Sequence, residues 1–344
     1  MTRPLPNELF DAIISRVPAR AGRLGPEEKK TLLNCTLVCR DWLPASRHAL
    51  FSCVVLNSPA AWDSFLRCVV NAEGGRPWLA SIRQLEFNTD KWRTIHNDGE
   101  DVPAQPISEW RGQYIIPVLA GQLPNLEVLW LTVNWERCQP HPSTFGMFSQ
   151  FTSLHELYLV DCSFPSFCTF RRILASLPAL KALGCHSVHW PSVPQPSILV
   201  LPSRCPALQS FNMSGICLSC TLALLEWLIH TPTRSTLASF SLNYPGSNLH
   251  DHPITLPDRN LLYYAQIFAP SLRNATFGQI QSANDIAGNI RDLSRFKNLR
   301  SLQFAVNGTD WAGVADVLRS VPARLATFIV CVEYDWKLLG WDES

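Results

Sequence analysis

Apolar residues recur along most of the chain in a fixed pattern, with a spacing of three residues and then two. The nine triplets are Ile82/Leu85/Phe87, Leu126/Leu129/Leu131, Leu154/Leu157/Leu159, Leu180/Leu183/Cys185, Leu208/Phe211/Met213, Leu237/Phe240/Leu242, Leu272/Ala275/Phe277, Leu299/Leu302/Phe304 and Leu325/Phe328/Val330. Six of the eight intervals between successive triplets are 26 to 29 residues long. The last two positions of each triplet alternate as the inward-facing residues of a strand do. The pattern therefore predicts nine strands in a repeating unit.

Segments with helical periodicity lie between most of the predicted strands. They carry apolar residues at three- and four-residue spacing, at 107–123, 167–177, 218–229, 260–268, 286–296 and 311–321. A strand, a turn and a helix repeated about every 27 residues resemble the leucine-rich repeat. The resemblance implies an α/β solenoid with a curved parallel sheet and outer helices. An ordinary doubly wound α/β domain is the alternative, because it also alternates strands and helices.

The residue between the last two apolar positions of each triplet points away from the predicted core. These residues are Glu86, Trp130, Tyr158, Gly184, Asn212, Ser241, Thr276, Gln303 and Ile329. Aromatic side chains beside carboxylates are typical anchors of protein interfaces. We therefore predict that Glu86, Trp130, Glu156 and Tyr158 bind a target protein.

Three irregular segments interrupt the repeats, near 88–106, 190–197 and 243–257. They are rich in polar residues, proline or glycine, as surface loops are. All three follow predicted strand ends, which in this architecture lie along one edge. That edge is a candidate binding region, and surface loops without a role are the alternative.

The first 51 residues carry two short amphipathic patterns. Leu9, Ile13 and Val17 follow one another at four-residue spacing after Pro6, which favours a helix start. Leu33, Leu37, Val38 and Trp42 form a second stripe. Short helices of this kind bury little surface among themselves, so we expect part of their apolar surface to meet a partner.

These N-terminal residues also carry a recognisable motif. The segments Leu5-Pro6-Asn7-Glu8-Leu9, Ile13-Ile14 and Leu37-Val38-Cys39-Arg40-Asp41-Trp42 resemble the F-box, a small helical motif that docks on the Skp adaptor of cullin-based ubiquitin ligases. The resemblance implies an adaptor-binding set of Leu5, Pro6, Leu9, Ile13, Leu37, Val38, Cys39 and Trp42. A helical cap on the following domain is the alternative.

The resemblance divides the chain into an F-box over residues 1–56 and a repeat domain over 57–344. Residues 18–31 are longer than the connection usual in that family. They predict a surface loop followed by an extra half-turn of helix, because loop length costs little. Phe51/Val54/Leu56 continues the phase of the triplets and predicts a leading strand.

Composition indicates a globular chain with no strong charge bias. The 344 residues are 47% hydrophobic and 17% charged, with a formal net charge of +1. Neither part of the chain carries a clustered basic signature, so we expect no nucleic-acid partner. No stretch is long and apolar enough for a membrane span, and the N-terminus lacks a secretory signal. We expect a cytoplasmic or nuclear protein whose twelve cysteines are buried hydrophobes rather than disulfides.

Catalytic and metal-binding motifs give little support to an enzyme. The sequence has no glycine-rich phosphate loop, no nucleophile elbow and no His-Glu-x-x-His helix. Cys217-Leu218-Ser219-Cys220 is one C-x-x-C, with Cys185-His186 and His189 as the nearest possible second half. We interpret these cysteines as core residues and expect no cofactor and no metal.

The F-box resemblance implies a non-catalytic substrate-recognition subunit of a Skp–cullin–F-box ubiquitin ligase. The Skp-type adaptor, a cullin bound through it and an unidentified target protein would be its partners. The alternative is a repeat-based interaction scaffold that is not coupled to a ligase.

Overall fold

The structure is a computed structural model that describes residues 7–14, 16–17, 24–88, 114–138, 140–191, 205–243, 258–280, 295–307 and 324–333. The chain forms two compact units, residues 1–158 and 159–344. The boundary that we expect after Leu56 stays a prediction.

Helices dominate the start of the first unit, and strands follow. Its elements are α1 Asn7–Ile14, α2 Pro26–Val38, α3 Trp42–Ser52, β1 Cys53–Leu56, α4 Pro59–Phe65, a π-helical turn Leu66–Val70, α5 Arg76–Ser81, β2 Gln84–Asn88, α6 at 114–119, β3 Val128–Thr132, α7 Trp135–Cys138, α8 Ser143–Gly146 and a 3-10 turn Met147–Gln150. Strand β4, Glu156–Val160, begins in this unit and ends in the next.

The second unit alternates strands with helices. Its elements are α9 Phe167–Ser176, β5 Ala182–His186, β6 Ser210–Ser214, α10 Leu218–Ile229, α11 Thr233–Thr236, β7 Ser239–Asn243, α12 Asp258–Phe268, β8 Asn274–Ile280, β9 Ser301–Asn307 and β10 Thr327–Glu333.

The ten strands of the described residues form a parallel sheet whose order is that of the chain. In the first unit Leu85 of β2 pairs with Val54 of β1 on one side and with Leu129 of β3 on the other. In the second unit the strands from β5 to β10 pair in the same in-phase manner, apart from a register shift between Phe277 and Ile280 in the pairing of β8 with β9. The fold is therefore a mixed α/β arrangement in which each repeat adds one strand beside the previous one.

The predicted strands are confirmed at all nine triplets. From Ile82 to Leu302, the triplet residues whose side chains are described are buried, and Leu85, Leu129 and Leu157 are each no more than 1% exposed. Phe51/Val54/Leu56 also takes its predicted place, because β1 pairs in register with β2.

Three of the predicted helices agree closely with the observed ones. The segment 218–229 coincides with α10, and 167–177 and 260–268 match α9 and α12 within two residues. Of the segment 107–123 only the part from 114 onward is described, and it contains α6. The helices predicted at 286–296 and 311–321, and most of the three irregular segments, lie outside the described residues.

The N-terminal helices pack around a small cluster of their own. Its buried members are Ile14, Leu24, Leu32 and Cys53, with Val17, Trp42, Ala45, Ala49, Leu50 and Val55 packed against it. Pro26 begins α2 at a position where its missing N–H costs nothing, and Glu27 and Glu28 follow in the first turn. The long connection therefore supplies Leu24 to the cluster and more than a turn of helix to α2, rather than a half-turn.

The second apolar stripe is not on a single helix. The helix α2 ends at Val38, and Cys39 is fully extended at φ −161° and ψ 169°. Trp42 therefore begins α3 and faces the inner cluster, whereas Leu33, Leu37 and Val38 stay on α2.

Helix α3 is tied to the repeat that follows it. Phe51 stacks on Trp78 of α5 with ring centroids 5.3 Å apart, and the guanidinium carbon of Arg47 lies 6.0 Å from the centre of the Trp78 ring. The Ser81 hydroxyl and the His48 Nδ1 are hydrogen-bonded at 2.8 Å. These contacts fix the helical segment against the beginning of the sheet.

Candidate protein-interaction surfaces

Helices α1 and α2 carry an exposed apolar surface on the side away from their inner cluster. We call it the N-terminal apolar face and define it by Leu9, Ile13, Leu33, Leu37 and Val38. Leu37 is 83% exposed and Val38 is 64% exposed, whereas Leu32 on the same helix is 1% exposed. Both sides of α2 are thus apolar, which is typical of a helix that contacts the core on one side and a partner on the other.

The residues implied by the F-box resemblance fall into three groups. Leu9, Ile13, Leu37 and Val38 lie on the N-terminal apolar face, and Cys39 beside them is exposed. Leu5 and Pro6 lie outside the described residues. Trp42 is half-buried and packs against the inner cluster, so its substitution would disturb the fold as well as any docking.

In each unit the sheet residues that point away from the core form a further candidate surface. We call it the strand row and define it by the nine residues predicted from Glu86 to Ile329. Glu86 pairs with Trp130 between β2 and β3, and pairing in the second unit connects Gly184, Asn212, Ser241, Thr276, Gln303 and Ile329 in that order. Most of its members are partly or fully exposed, but Gly184 is buried.

The predicted aromatic residues of the strand row contact each other directly. Trp130 and Tyr158 stack with ring centroids 4.0 Å apart and an interplanar angle of 13°. The Tyr158 hydroxyl donates a hydrogen bond of 2.9 Å to Oε2 of Glu156. Burial, and then this hydrogen bond and the negative charge of Glu156, raise the pKa of Tyr158 to about 12. Trp130, Tyr158 and Glu156 therefore form a preorganised aromatic plate with a carboxylate at its edge.

The later part of the strand row has different chemistry. Asn212, Ser241, Thr276 and Gln303 are polar and compact, and they lack the aromatic area of the first repeats. Large rigid rings contribute most of the energy at protein interfaces. The Trp130–Tyr158 plate is accordingly the stronger candidate anchor.

The cysteines divide between the interior and the surface. Cys53, Cys162, Cys185 and Cys220 are buried, as we expect, but Cys39, Cys68, Cys168 and Cys217 are exposed. All cysteines whose side chains are described are free thiols. The interpretation of every cysteine as a core residue is therefore wrong, because these four lie on solvent-facing sides of their elements.

His189 and the two cysteines of the C-x-x-C motif come together in the second unit. Their ligand atoms, one imidazole nitrogen and two sulfurs, all lie within 4.8 Å of one another. Burial raises the pKa of Cys217, but hydrogen bonds from the Ser219 and Cys220 side chains and from backbone groups outweigh it, so the pKa falls below its usual value. From the sequence we took the two cysteines as core residues. The signal that was missed is the spacing of His189 and Cys217, which are 28 residues apart, or one repeat length.

Three adjoining surface cavities lie near the starts of the later strands. The largest has a volume of about 470 Å³, and the cationic residues lining the three are Arg234, Arg273, Arg295, Lys297, Arg300 and Arg324. No acidic residue lines them in the part of the chain that the structure describes. Net charge, summed over the chain, gave no sign of this local gathering of cations.

Within the described ranges, none of the helices combines the length and apolar character needed to span a bilayer.

Comparison with known proteins identifies no family. No protein-family model matches the sequence, and no curated protein matches it. Among solved structures the chain is similar to internalin C2 (inlC2) from Listeria monocytogenes str. 4b F2365, at 15% sequence identity and a TM-score of 0.29. The similarity covers 62% of this chain and 74% of that chain. At this score it assigns no function, and the surfaces above rest on the chain's own burial and contacts.

Proposed function

We propose that the chain is the substrate-recognition subunit of a Skp–cullin–F-box ubiquitin ligase. The N-terminal apolar face docks on the Skp-type adaptor, and the repeats, arranged as a leucine-rich-repeat-like solenoid, bind a target protein. The chain itself carries out no bond chemistry on this proposal. It works in the cytoplasm or the nucleus, without nucleic acid or membrane as a partner.

The observation that carries the proposal is the concentration of exposed apolar side chains on α1 and α2. Eight large apolar side chains are exposed in the described residues, and five of them form the N-terminal apolar face. Five exposed apolar side chains on two short helices that pack around the same inner cluster are typical of a binding site rather than of an ordinary surface. All five were singled out on sequence grounds, four of them by the F-box motif and Leu33 by the second apolar stripe.

The proposal is tested with the double substitution Leu37→Asp/Val38→Asp in the full chain. Burying a Leu or Val side chain contributes about 1.5–3 kcal/mol, and about 1.4 kcal/mol corresponds to a tenfold change in affinity. We therefore expect the affinity for a purified Skp-type adaptor to fall at least about 100-fold, measured by calorimetry. Thermal unfolding of the variant should remain as in the wild type, because both side chains are exposed.

The control is Tyr263→Asp, which places one aspartate at another exposed large apolar residue. It should leave adaptor binding unchanged. Adaptor binding that persists in the double variant would rule out docking through this face. If the wild-type chain binds neither adaptor nor cullin, the uncoupled interaction scaffold becomes the better description.

The same proposal places target recognition at the Trp130–Tyr158 plate with Glu86 and Glu156 beside it. Its support is the 4.0 Å stacking of two large rings on the side of the sheet that points away from the core, which presents rigid area at little entropic cost. Proximity labelling in cells should yield proteins that are lost with Trp130→Ala/Tyr158→Ala and retained with Asn212→Ala. An identical set of labelled proteins for all three chains would remove the plate from the binding surface.

A further inference from the structure

Three side chains of metal-ligand type meet at the ends of two neighbouring strands. His189 follows β5 and Cys217 follows β6, and these two strands pair in parallel. The carboxyl ends of parallel strands lie at the same edge of a sheet, so the two following segments are brought side by side. Cys220 joins them from the first turn of α10.

The backbone holds each of the three residues in place. The His189 N–H donates to the Cys162 carbonyl and the His189 carbonyl accepts from the Phe164 N–H, both at 2.8 Å. Cys217 is the residue before the first turn of α10, and its carbonyl accepts a hydrogen bond of 3.0 Å from Thr221 N–H. Cys217 and Cys220 therefore lie three residues apart on one side of a helix start.

A close approach of the two segments supports this arrangement. Gly215 has φ +65°, and a Cβ atom there would lie 2.8 Å from the Ser187 Oγ. Ser187 also has a positive φ, and its N–H donates to the Ser214 carbonyl at 2.9 Å. The Cys220 sulfur lies 3.7 Å from the carbonyl oxygen of Trp190, the residue that follows His189. The three candidate ligands therefore lie on segments that are already hydrogen-bonded to each other.

The ligand set has the chemistry of a zinc site. Two thiolates and one imidazole suit a borderline-soft cation that takes tetrahedral geometry, with a Zn–S distance of about 2.3 Å and a Zn–N distance of about 2.0–2.1 Å. Tetrahedral placement at those lengths separates the ligand atoms by about 3.5–3.8 Å. Their present separations are all within 4.8 Å. The ligand atoms therefore need to approach one another by no more than about 1.3 Å to reach that geometry.

We propose that His189, Cys217 and Cys220 bind one zinc ion, with a water molecule in the fourth position. His189 and Cys217 are exposed, so solvent reaches that position, whereas Cys220 is buried. Residues 192–204, which follow this corner, contain no His, Cys, Asp or Glu. The ion would clamp the two segments that follow β5 and β6.

The experiment uses the full chain, reduced and freed of metal with a chelator, and titrated with Zn²⁺ against a chromogenic competitor. Cobalt in place of zinc should give the thiolate charge-transfer band and the intense visible bands of a tetrahedral site. Cys217→Ser and His189→Ala should each weaken zinc binding by more than about 100-fold. That loss is larger than the loss expected from removing a residue that only hydrogen-bonds to a metal ligand. Zinc should also raise the melting temperature of the wild type, because a ligand that binds the folded state stabilises it.

The choice of variants separates loss of a zinc ligand from loss of the fold. Cys217 and His189 are exposed, so their substitution should not unfold the chain. Cys220 is buried, so its substitution would affect folding as well as zinc binding. Cys168→Ser removes another exposed thiol and should leave zinc affinity unchanged. The proposal fails if the reduced wild type takes no metal, or if Cys217→Ser binds zinc as tightly as the wild type. It also fails if the two cysteines only form a disulfide.

Discussion

Gly215 shows how one residue fixes the meeting of two repeats. Its positive φ is a conformation that costs other residues about 1–2 kcal/mol, and its missing Cβ leaves room for Ser187. Glycine suits this position for two reasons, its backbone conformation and the close approach of Ser187.

We expect Gly215→Ala to lower the free energy of unfolding by about 1–2 kcal/mol, because alanine there combines left-handed strain with contact on Ser187. Urea denaturation measures the change. Gly146→Ala is the matched control, since nothing lies within 4 Å of a Cβ built there and its φ is not positive. It should be neutral or slightly stabilising. Equal effects of the two substitutions would contradict the role of Gly215.

Single residues also explain where sequence reasoning stops. The outward position of Trp130 and Tyr158 follows from strand alternation, so it was predictable. Their stacking, and the meeting of His189 with Cys217, depend on which strands become neighbours and in what register. A C-x-x-C without a second pair therefore did not predict a metal site. The separation of His189 and Cys217 by one repeat length was the available clue.

Adjacent leucines on α2 separate the folding role of this helix from its binding role. Leu32 is 1% exposed within the inner cluster, and Leu33 is 55% exposed on the N-terminal apolar face. We expect Leu32→Ala to destabilise the helical segment by about 2–5 kcal/mol, and Leu33→Ala to change its stability by less than about 0.5 kcal/mol.

Amide hydrogen exchange across residues 26–52 measures both variants, because it reports local opening of the helices rather than only global unfolding. Faster exchange in Leu32→Ala alone is the expected result. Similar protection in both variants would mean that the inner cluster does not hold the helices together.

Strands and helices were predictable to different degrees. The strands follow from a burial pattern that repeats with each unit, as in Leu126/Leu129/Leu131, and α10 was predicted with its observed bounds. The break between α2 and α3 was missed, because Cys39-Arg40-Asp41 contains neither glycine nor proline. The short helices α7 and α8 were also missed, since they depend on tertiary packing. Trp135, for example, is fully buried against Phe145 and Phe148.

At the scale of the whole molecule, stability is expected to pass from each repeat to its neighbours. Phe240 of β7 contacts Phe211 of β6, Phe268 of α12 and Phe277 of β8, with ring centroids 6.0 to 6.2 Å apart. In repeat architectures each unit buries its apolar face only against adjacent units. Perturbing one repeat should therefore affect nearby strands first.

We expect Phe240→Ala to cost about 3–5 kcal/mol and to accelerate hydrogen exchange in β6, β7 and β8, with little change in β1 to β3. Ser241→Ala is the matched control, because it changes the next residue, which lies on the opposite side of the strand and is not buried. Uniform acceleration along the whole sheet would instead indicate a single cooperative unit.

The pairing of β1 with β2 has a practical consequence for any attempt to separate the repeats from the N-terminal helices. A fragment that starts after Leu56 lacks β1, which leaves the N–H and C=O groups along one side of β2 unpaired. Such an open edge is a template for pairing with another chain. Fragments of this kind should self-associate with rising concentration, whereas fragments that keep residues 53–56 retain a natural cover for β2.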